Sequence, residues 1–265
     1  MIMALDHQIL MNSLGGDGPW SFDLRDQVTS TSDLAKAAGA NGAPHGLVIC
    51  AEEQTAGRGQ RSNRWVTPRG NDLMFSLLLR PQLPVELWPR LTTLAAVAVC
   101  RAIEATIPSE AGIKWPNDIY LRGKKVSGLL AETAFGGSGG FVVLGVGINV
   151  NTTEFPGELQ TVATSLRLEL GPTNHHPVPR EPLMAVFLNA LDEFMEEAWE
   201  HRFPDLLMEV RRRSVLVGKN IRAVVDGRPA NGRVRDLNHE GHLILERVDG
   251  TTEVLTSAAE VRVTT

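Results

Sequence analysis

The sequence predicts an α+β protein, with a larger mixed unit followed by a small β-barrel of SH3-like type. Three observations lead there. Over residues 20–214, stretches with apolar residues at helical spacing alternate with short strand-like runs. Beyond Ser214 to Gly218 the helical spacing stops and five short β-type runs follow. The length, 265 residues, suits one large core plus a small second domain.

In chain order, residues 1–19 are polar and glycine-rich and are expected to form a loose extension. Residues 20–27 alternate as a strand does. A helix over 31–38 follows from the Ser30/Asp33 pair, a Ser-x-x-Asp capping pattern. Residues 46–52 and 73–79 read as strands flanking a glycine–arginine loop. Leu91, Leu94, Ala95, Ala98 and Ala102 share one face of a helix over 85–105. Strands are expected at 113–121, 126–133 and 141–149, with Gly136-Gly137-Ser138-Gly139-Gly140 as a hairpin loop. That glycine run lacks the Lys-Ser/Thr pair of a phosphate-binding loop. Met184, Phe187, Leu191, Phe194, Met195 and Ala198 predict a helix over 182–202, and a shorter one is expected over 205–212. The β-type runs of the last segment are 220–225, 232–236, 242–247, 251–256 and 260–263, with Asp226-Gly227 and Asp249-Gly250 as tight-turn signals. The domains are therefore drawn at 1–19, 20–214 and 215–265.

Composition narrows the function classes. An apolar fraction of 43% and a charged fraction of 22% belong to a soluble globular protein. A net charge of −5 gives no electrostatic case for nucleic acid. No apolar stretch is long enough to span a bilayer and no secretory leader is evident, so the expected location is cytoplasmic, without membrane contact. The two cysteines, Cys50 and Cys100, sit in apolar surroundings and read as buried free thiols of a reducing compartment.

Three runs carry chemistry. The nine residues 57–65 hold two glycines, three arginines (Arg58, Arg61, Arg64) and Trp65. Gly57 and Gly59 let backbone amides approach a ligand, the arginines can grip carboxylate or phosphate, and the indole offers a stacking face. Next comes Lys114-Trp115-Pro116-Asn117-Asp118, followed by Lys124-Lys125-Val126-Ser127-Gly128. A plain strand has no need of proline, asparagine and clustered charge there. A lysine aimed into a cleft can neutralise a carboxylate or the phosphate it attacks. The third run is Gly145-Val146-Gly147-Ile148-Asn149, whose glycines permit close approach along a strand. Taken singly, each run also reads as an ordinary turn, surface lysine or tightly packed sheet. Ser30-Thr31-Ser32 could likewise be a helix cap only, although hydroxyls at a helix N-terminus also suit polar ligands.

In this order and spacing the runs resemble those of biotin protein ligases, across about residues 27–151. The resemblance implies a class II aminoacyl-tRNA synthetase-like catalytic domain with a mostly antiparallel sheet, and the barrel after it. It implies two half-reactions. Biotin is activated by ATP to biotinyl-5′-AMP with release of pyrophosphate, and biotin is then passed to one lysine of a carboxyl carrier domain of an acyl-CoA or pyruvate carboxylase. By position it assigns Lys125 and Arg58 to catalysis. Ser30, Thr31, Ser32, Gln54, Arg58, Gly59, Gln60, Lys125, Gly128 and Gly147 are assigned to biotin. Arg58, Arg61, Trp65, Lys114, Asn117, Asp118, Lys125 and Asn149 are assigned to ATP. Mg²⁺ is expected with the nucleotide, near Asp118, and some members are homodimers. Members that repress transcription carry an N-terminal DNA-binding domain for which this sequence has no room before the first motif, so no repressor role is expected. Two departures stand out: Ser32 where the family has asparagine, and Gln60 where many members have arginine. The second predicts looser retention of the adenylate. Competing readings are a lipoate–protein ligase of the same fold, whose glycine loop is not found here, and a non-catalytic biotin sensor.

Overall fold

The computed structural model describes residues 4–16, 18–59, 65, 67–137, 139–196 and 199–264. The elements run in the order α1 (His7–Leu14), β1 (Ser21–Val28), α2 (Thr31–Ala40), β2 (Leu47–Gln54), β3 (Leu73–Leu79), a 3₁₀ turn (Val85–Leu87), α3 (Arg90–Thr106), β4 (Gly112–Lys114), β5 (Asp118–Leu121), β6 (Lys124–Gly136) and β7 (Gly139–Ile148). The short α4 (Leu159–Val162) and α5 (Leu166–Glu169) come next, then α6 (Arg180–Met195) and α7 (Trp199–Arg213). The last segment holds β8 (Asn220–Val225), β9 (Arg228–Leu237), β10 (Leu243–Glu246), β11 (Thr252–Leu255) and β12 (Ala259–Thr264).

Strands β1 to β7 form one sheet in the order β1-β2-β3-β7-β6-β5-β4. Only β1 and β2 pair in parallel; the other neighbours are antiparallel. Side chains alternate between the two faces of a strand, so each face gathers its own set of residues. On one face Phe75, Leu77, Leu79, Leu144 and Val146 join the large core under α3 and α6. Phe75 meets Phe187 of α6 edge-on, with ring centroids 5.5 Å apart. On the other face Ile49, Leu78, Phe141 and Val143 pack on Ala35 of α2. Burying each such large side chain is worth roughly 1.5–3 kcal/mol. That is why a seven-residue strand as apolar as β3 (Leu-Met-Phe-Ser-Leu-Leu-Leu) sits in the middle of the sheet, buried along its whole length.

The α+β prediction holds, and four elements differ from expectation. Residues 1–19 are not uniformly loose. Asp6 caps α1 by accepting the Ile9 N–H at 2.9 Å, Gly15 ends it at φ 70°, and Leu10 is fully buried where α1 packs on α6. The expected strand 113–121 is two strands, β4 and β5, paired with each other around a cis Trp115–Pro116 peptide. The helix expected over 182–202 ends at Met195, where Glu196 turns extended (ψ 170°), and the helix after it starts at Trp199 rather than at 205. The C-terminal segment is the expected SH3-like β-module, a five-stranded sheet ordered β11-β10-β9-β8-β12. Among the described residues its edge strands β11 and β12 do not pair, so it is an open sheet and not a closed barrel.

Hydrogen bonds dock this module on the larger unit. Val215 donates its N–H to the Ile113 carbonyl at 3.0 Å, and Trp115 donates its indole N–H to the Gly241 carbonyl at 3.1 Å. Both cysteines are free and buried, and burial pushes the Cys100 thiol up to about 12. Among the described residues no helix is long and apolar enough to cross a membrane.

Candidate active site

The face of the sheet under α2 changes character along its strands. Near Leu78, Phe141 and Val143 it is apolar and covered by the helix. Further along, the same face presents Ser76 on β3, Gly145 and Gly147 on β7, and Gly128 on β6. The register sets Ser76 beside Gly145, and Gly128 beside Gly147. Small residues opposite one another leave a depression that no side chain of the sheet fills. It opens into a cavity lined by Thr31, Ser32, Gln54, Arg58, Gly59 and Trp65 above, and by Ser76, Gly128, Gly145 and Gly147 below. Phe75, Val146, Leu129 and Leu130 supply apolar wall, and Asn117 and Lys125 close the β6 side.

The start of α2 supplies hydroxyls. Ser30 caps the helix, its Oγ accepting the Asp33 N–H at 3.4 Å, so it is buried outside the cavity lining. Thr31 and Ser32 follow it and do line the cavity. Their hydroxyls meet Ser76 Oγ at 2.8 and 3.0 Å, and the Thr31 N–H donates to Gln54 Oε1 at 2.8 Å. The four side chains thus form one connected polar wall.

Two cations sit at the rim, and they are the charged residues among the described lining. Lys125 Nζ lies 2.6 Å from Asp118 Oδ1 and 5.7 Å from the centre of the Trp65 ring. Arg58 Nη1 contacts Asp33 Oδ1 at 2.7 Å and Nη2 contacts Glu132 Oε1 at 2.8 Å. Partial burial would lower the Arg58 pKa, but the bond to Asp33 and the charge of Glu132 outweigh it and raise it, so the group is a permanent cation. The Trp65 indole lies on the glycine floor. A Cβ on Gly147 would come within 2.5 Å of Trp65 Cε2, and one on Gly128 within 3.1 Å of Cζ3. The Trp65 main chain is held against Gly57, donating its N–H to the Gly57 carbonyl at 3.0 Å. A Cβ on Gly57 would stand 2.5 Å from the Trp65 carbonyl oxygen, which accounts for glycine there.

Of the residues singled out in the sequence, the fold brings Thr31, Ser32, Gln54, Arg58, Gly59, Trp65, Asn117, Lys125, Gly128 and Gly147 around one cavity, with Asp118 behind Lys125. Three stand apart. Asn149 donates from Nδ2 to the Thr164 carbonyl at 3.0 Å, and its own carbonyl accepts the Leu166 N–H at 3.1 Å, so it ties α5 to the end of β7. Lys114 is half-buried away from the lining. It donates to Tyr120 Oη at 3.1 Å, and burial lowers its pKa. Ser30 is the cap already described. Gln60 and Arg61, with Arg64, lie outside the described residues. Sequence reasoning missed Ser76, Asp33 and Glu132 as parts of the site. Ser76 had a signal, being the one hydroxyl in an otherwise apolar strand. The carboxylates had none, since they are 25 and 74 residues from the arginine they hold. No cluster of three or more metal-ligating side chains occurs among the described residues.

A cavity with an apolar wall, a hydroxyl–amide wall and two fixed cations suits a small organic acid brought against a phosphate ester. Comparison with known proteins gives the same direction. Residues 24–149 match the model of the Biotin/lipoate A/B protein ligase family. The biotin--[acetyl-CoA-carboxylase] ligase of Mycobacterium tuberculosis is 36% identical over 265 residues, covering 97% of this chain and 95% of that protein. The bifunctional ligase/repressor BirA of Bacillus subtilis is 34% identical over 239 residues, covering 89% and 72%. Among solved structures, the biotin protein ligase of Aquifex aeolicus in complex with biotin and ATP superposes with a TM-score of 0.80 at 25% identity, covering 92% of this chain and 99% of that one.

Proposed function

The chain belongs to the biotin protein ligases of the biotin/lipoate A/B protein ligase family, and from that premise we propose how its cavity serves the two half-reactions. The protein is a ligase that activates biotin with ATP and passes it to a lysine of a carboxylase. The observation that carries this reading is the pairing of two cations, Arg58 and Lys125, with a glycine-floored, hydroxyl-walled cavity.

In the first step the biotin carboxylate attacks the α-phosphate of ATP, the new bond is an acyl–phosphate anhydride, and pyrophosphate leaves. Attack of one anion on another needs positive charge between them. Lys125 and Arg58 supply it from opposite sides of the rim. Asp118, 2.6 Å from the Lys125 Nζ, aims the ammonium. Thr31, Ser32, Gln54 and Ser76 give the polar end of biotin its donors and acceptors, and Gly128 and Gly147 seat the Trp65 indole that offers its apolar part a wall. Gly59, Trp65 and Asn117, which line the same cavity, would serve the nucleotide or the joint between the two ligands. In the second step the ε-amine of the carrier lysine attacks the acyl carbon, AMP leaves with the bonding pair, and the amine proton passes to solvent or phosphate. Keeping water from the anhydride until then would fall to the rim residues Arg58, Gly59 and Trp65.

Mg²⁺ would come as a companion of the ATP phosphates rather than a resident of a protein cage, and Asp118 is the carboxylate that would help hold it. That matches the habit of Mg²⁺ to keep waters and take one or two carboxylates. When bound it would neutralise phosphate charge. The carrier would be a biotin carboxyl carrier domain, the setting cytoplasmic, and the chain is divided functionally near residue 214 into catalytic unit and β-module.

The test is pyrophosphate exchange into ATP. Exchange that requires biotin and Mg²⁺, is not supported by lipoate, and falls at least about a hundredfold in Lys125→Ala with the fold retained is the expected result. Exchange driven by lipoate, or tight biotin binding with no exchange, would replace this reading by a lipoate ligase or a sensor.

A further inference from the structure

Among the described residues, Arg58 is the rim cation held by two separate elements. Its Nη1 reaches Asp33 in the first turn of α2, and its Nη2 reaches Glu132 on β6. The guanidinium therefore bridges the two walls of the cavity, while its side chain stays 37% exposed. Glu132 lies on the floor side of β6, two steps beyond Leu130 and four beyond Gly128, and is the less exposed of the two carboxylates at 22% against 54%. Neither carboxylate lines the cavity. A guanidinium carries five N–H donors in a rigid plane, so it can keep both carboxylates and still donate to an anion in the cavity.

We infer that Asp33 and Glu132 are positioning residues that clamp Arg58 across the cavity, fixing the pose in which it meets the reacting carboxylate and phosphate. The inference rests on the ligase reading. Its physical basis is that an arginine side chain is flexible along its whole stem, and a 1 Å error in a catalytic group costs rate. Two charge-assisted bonds from opposite walls remove that freedom before substrate arrives. The clamp also ties the chain at Arg58 to α2 and β6. Each carboxylate leaves the cation charged, as the raised Arg58 pKa reflects. The dominant member is Glu132, because solvent screens the more exposed Asp33.

The experiment is a double-mutant cycle read by biotin-dependent pyrophosphate exchange. Glu132→Gln keeps the shape and removes the charge; it should lower kcat about tenfold with a smaller change in the KM for biotin, and Asp33→Asn should lower it about threefold. Glu132→Asp, which restores the charge on a shorter stem, should recover part of the loss. In an Arg58→Gln background the same changes should alter the residual exchange by less than about twofold, because they act only through the arginine. Melting temperatures of all variants guard against misfolding, and Asp33→Asn on the exposed first turn of α2 supplies a variant that folds whatever Glu132→Gln does. Losses that persist undiminished in the Arg58→Gln background, no loss in either single variant, or a gain in exchange would overturn the clamp while leaving the ligase reading intact. Absence of biotin-dependent exchange in the unmutated protein would remove the ligase reading, and the clamp with it.

Discussion

Gly147→Ala is the sharpest probe of where the substrate lies. A methyl group at this position would stand 2.5, 2.8 and 2.9 Å from Trp65 Cε2, Cζ2 and Cδ2, against the 3.4 Å at which ordinary contact begins. The shortfall at Cε2 is about 0.9 Å, the difference of those two distances. Strand β7 cannot absorb it, because Gly147 is paired with Met74 on one side and Gly128 on the other. The indole must therefore lift. Overpacking in a closed core costs about 1–3 kcal/mol, but a side chain that can move away limits the loss. It forfeits its contact with Lys125, worth roughly 0.5–1 kcal/mol at a partly exposed site. A stability loss near 1 kcal/mol lowers the melting temperature by only about 2–4 °C in a protein of this size. Activity should suffer far more. The methyl also displaces the indole that walls the ligand, and a displacement of about 1 Å can cost on the order of a hundredfold in rate. Gly128→Ala should be milder, since its nearest contacts are at 3.1–3.2 Å and two of the three are the flexible end of Lys125. The assays are calorimetric biotin binding, pyrophosphate exchange and thermal melting on the same preparations. Biotin affinity and exchange within about threefold of the unmutated protein for Gly147→Ala would refute the glycine-floor argument, as would a larger defect in Gly128→Ala.

Two further predictions concern stability. Arg180 and Glu52 form a bidentate pair at 2.8 and 3.1 Å with side chains 2% and 7% exposed, so Arg180→Met should strand a buried carboxylate and cost about 3–5 kcal/mol in urea unfolding; a loss under 1 kcal/mol would contradict this account of the pair. Arg213 joins Glu104 and Glu209, with bonds of 2.9 Å to Glu104 Oε2 and to Glu209 Oε1. Burial alone would raise the pKa of both carboxyls, yet their arginine bonds bring each below its ordinary 4.5. A depressed carboxyl stabilises the fold fully above the unfolded value and loses that contribution as pH falls through the folded one. Stability of the unmutated protein should thus fall more steeply below about pH 4.5 than that of Arg213→Met, and parallel curves between pH 5 and 3 would count against it.

Much of this protein can be read locally. The capping Ser30 and Asp33, the alternation of β2, the helical spacing of α3 and the turn signals of the β-module each depend on a few neighbouring residues, and chemistry at that range is written in the sequence. The Gly-Arg-Gly loop and the Lys-Trp-Pro-Asn-Asp run could be picked out for the same reason, because such residues have little use in a plain core. Where local signals compete, the reading fails. The apolar spacing of α6 continues past the point where the chain turns at Glu196, and α1, capped by Asp6, is only eight residues long, too short for its spacing to stand out.

What the tertiary structure alone decided is which side chains meet. Register set Ser76 beside Gly145 and Gly128 beside Gly147, making a floor from β3 and the β6–β7 hairpin, which lie far apart in the chain. Arg58 found Asp33 and Glu132 across the cavity: the sequence marks Asp33 only as part of a helix cap, and Glu132 not at all. Conversely, Asn149 and Lys114 carry groups suited to a ligand, but nearby partners, the Thr164 carbonyl and the Tyr120 hydroxyl, take them up. The sequence determines residue chemistry and local geometry because those follow from short-range sterics and hydrogen bonding. The assembly of the site depends on strand pairing and packing between distant segments, and that order exists only once the whole sheet has formed.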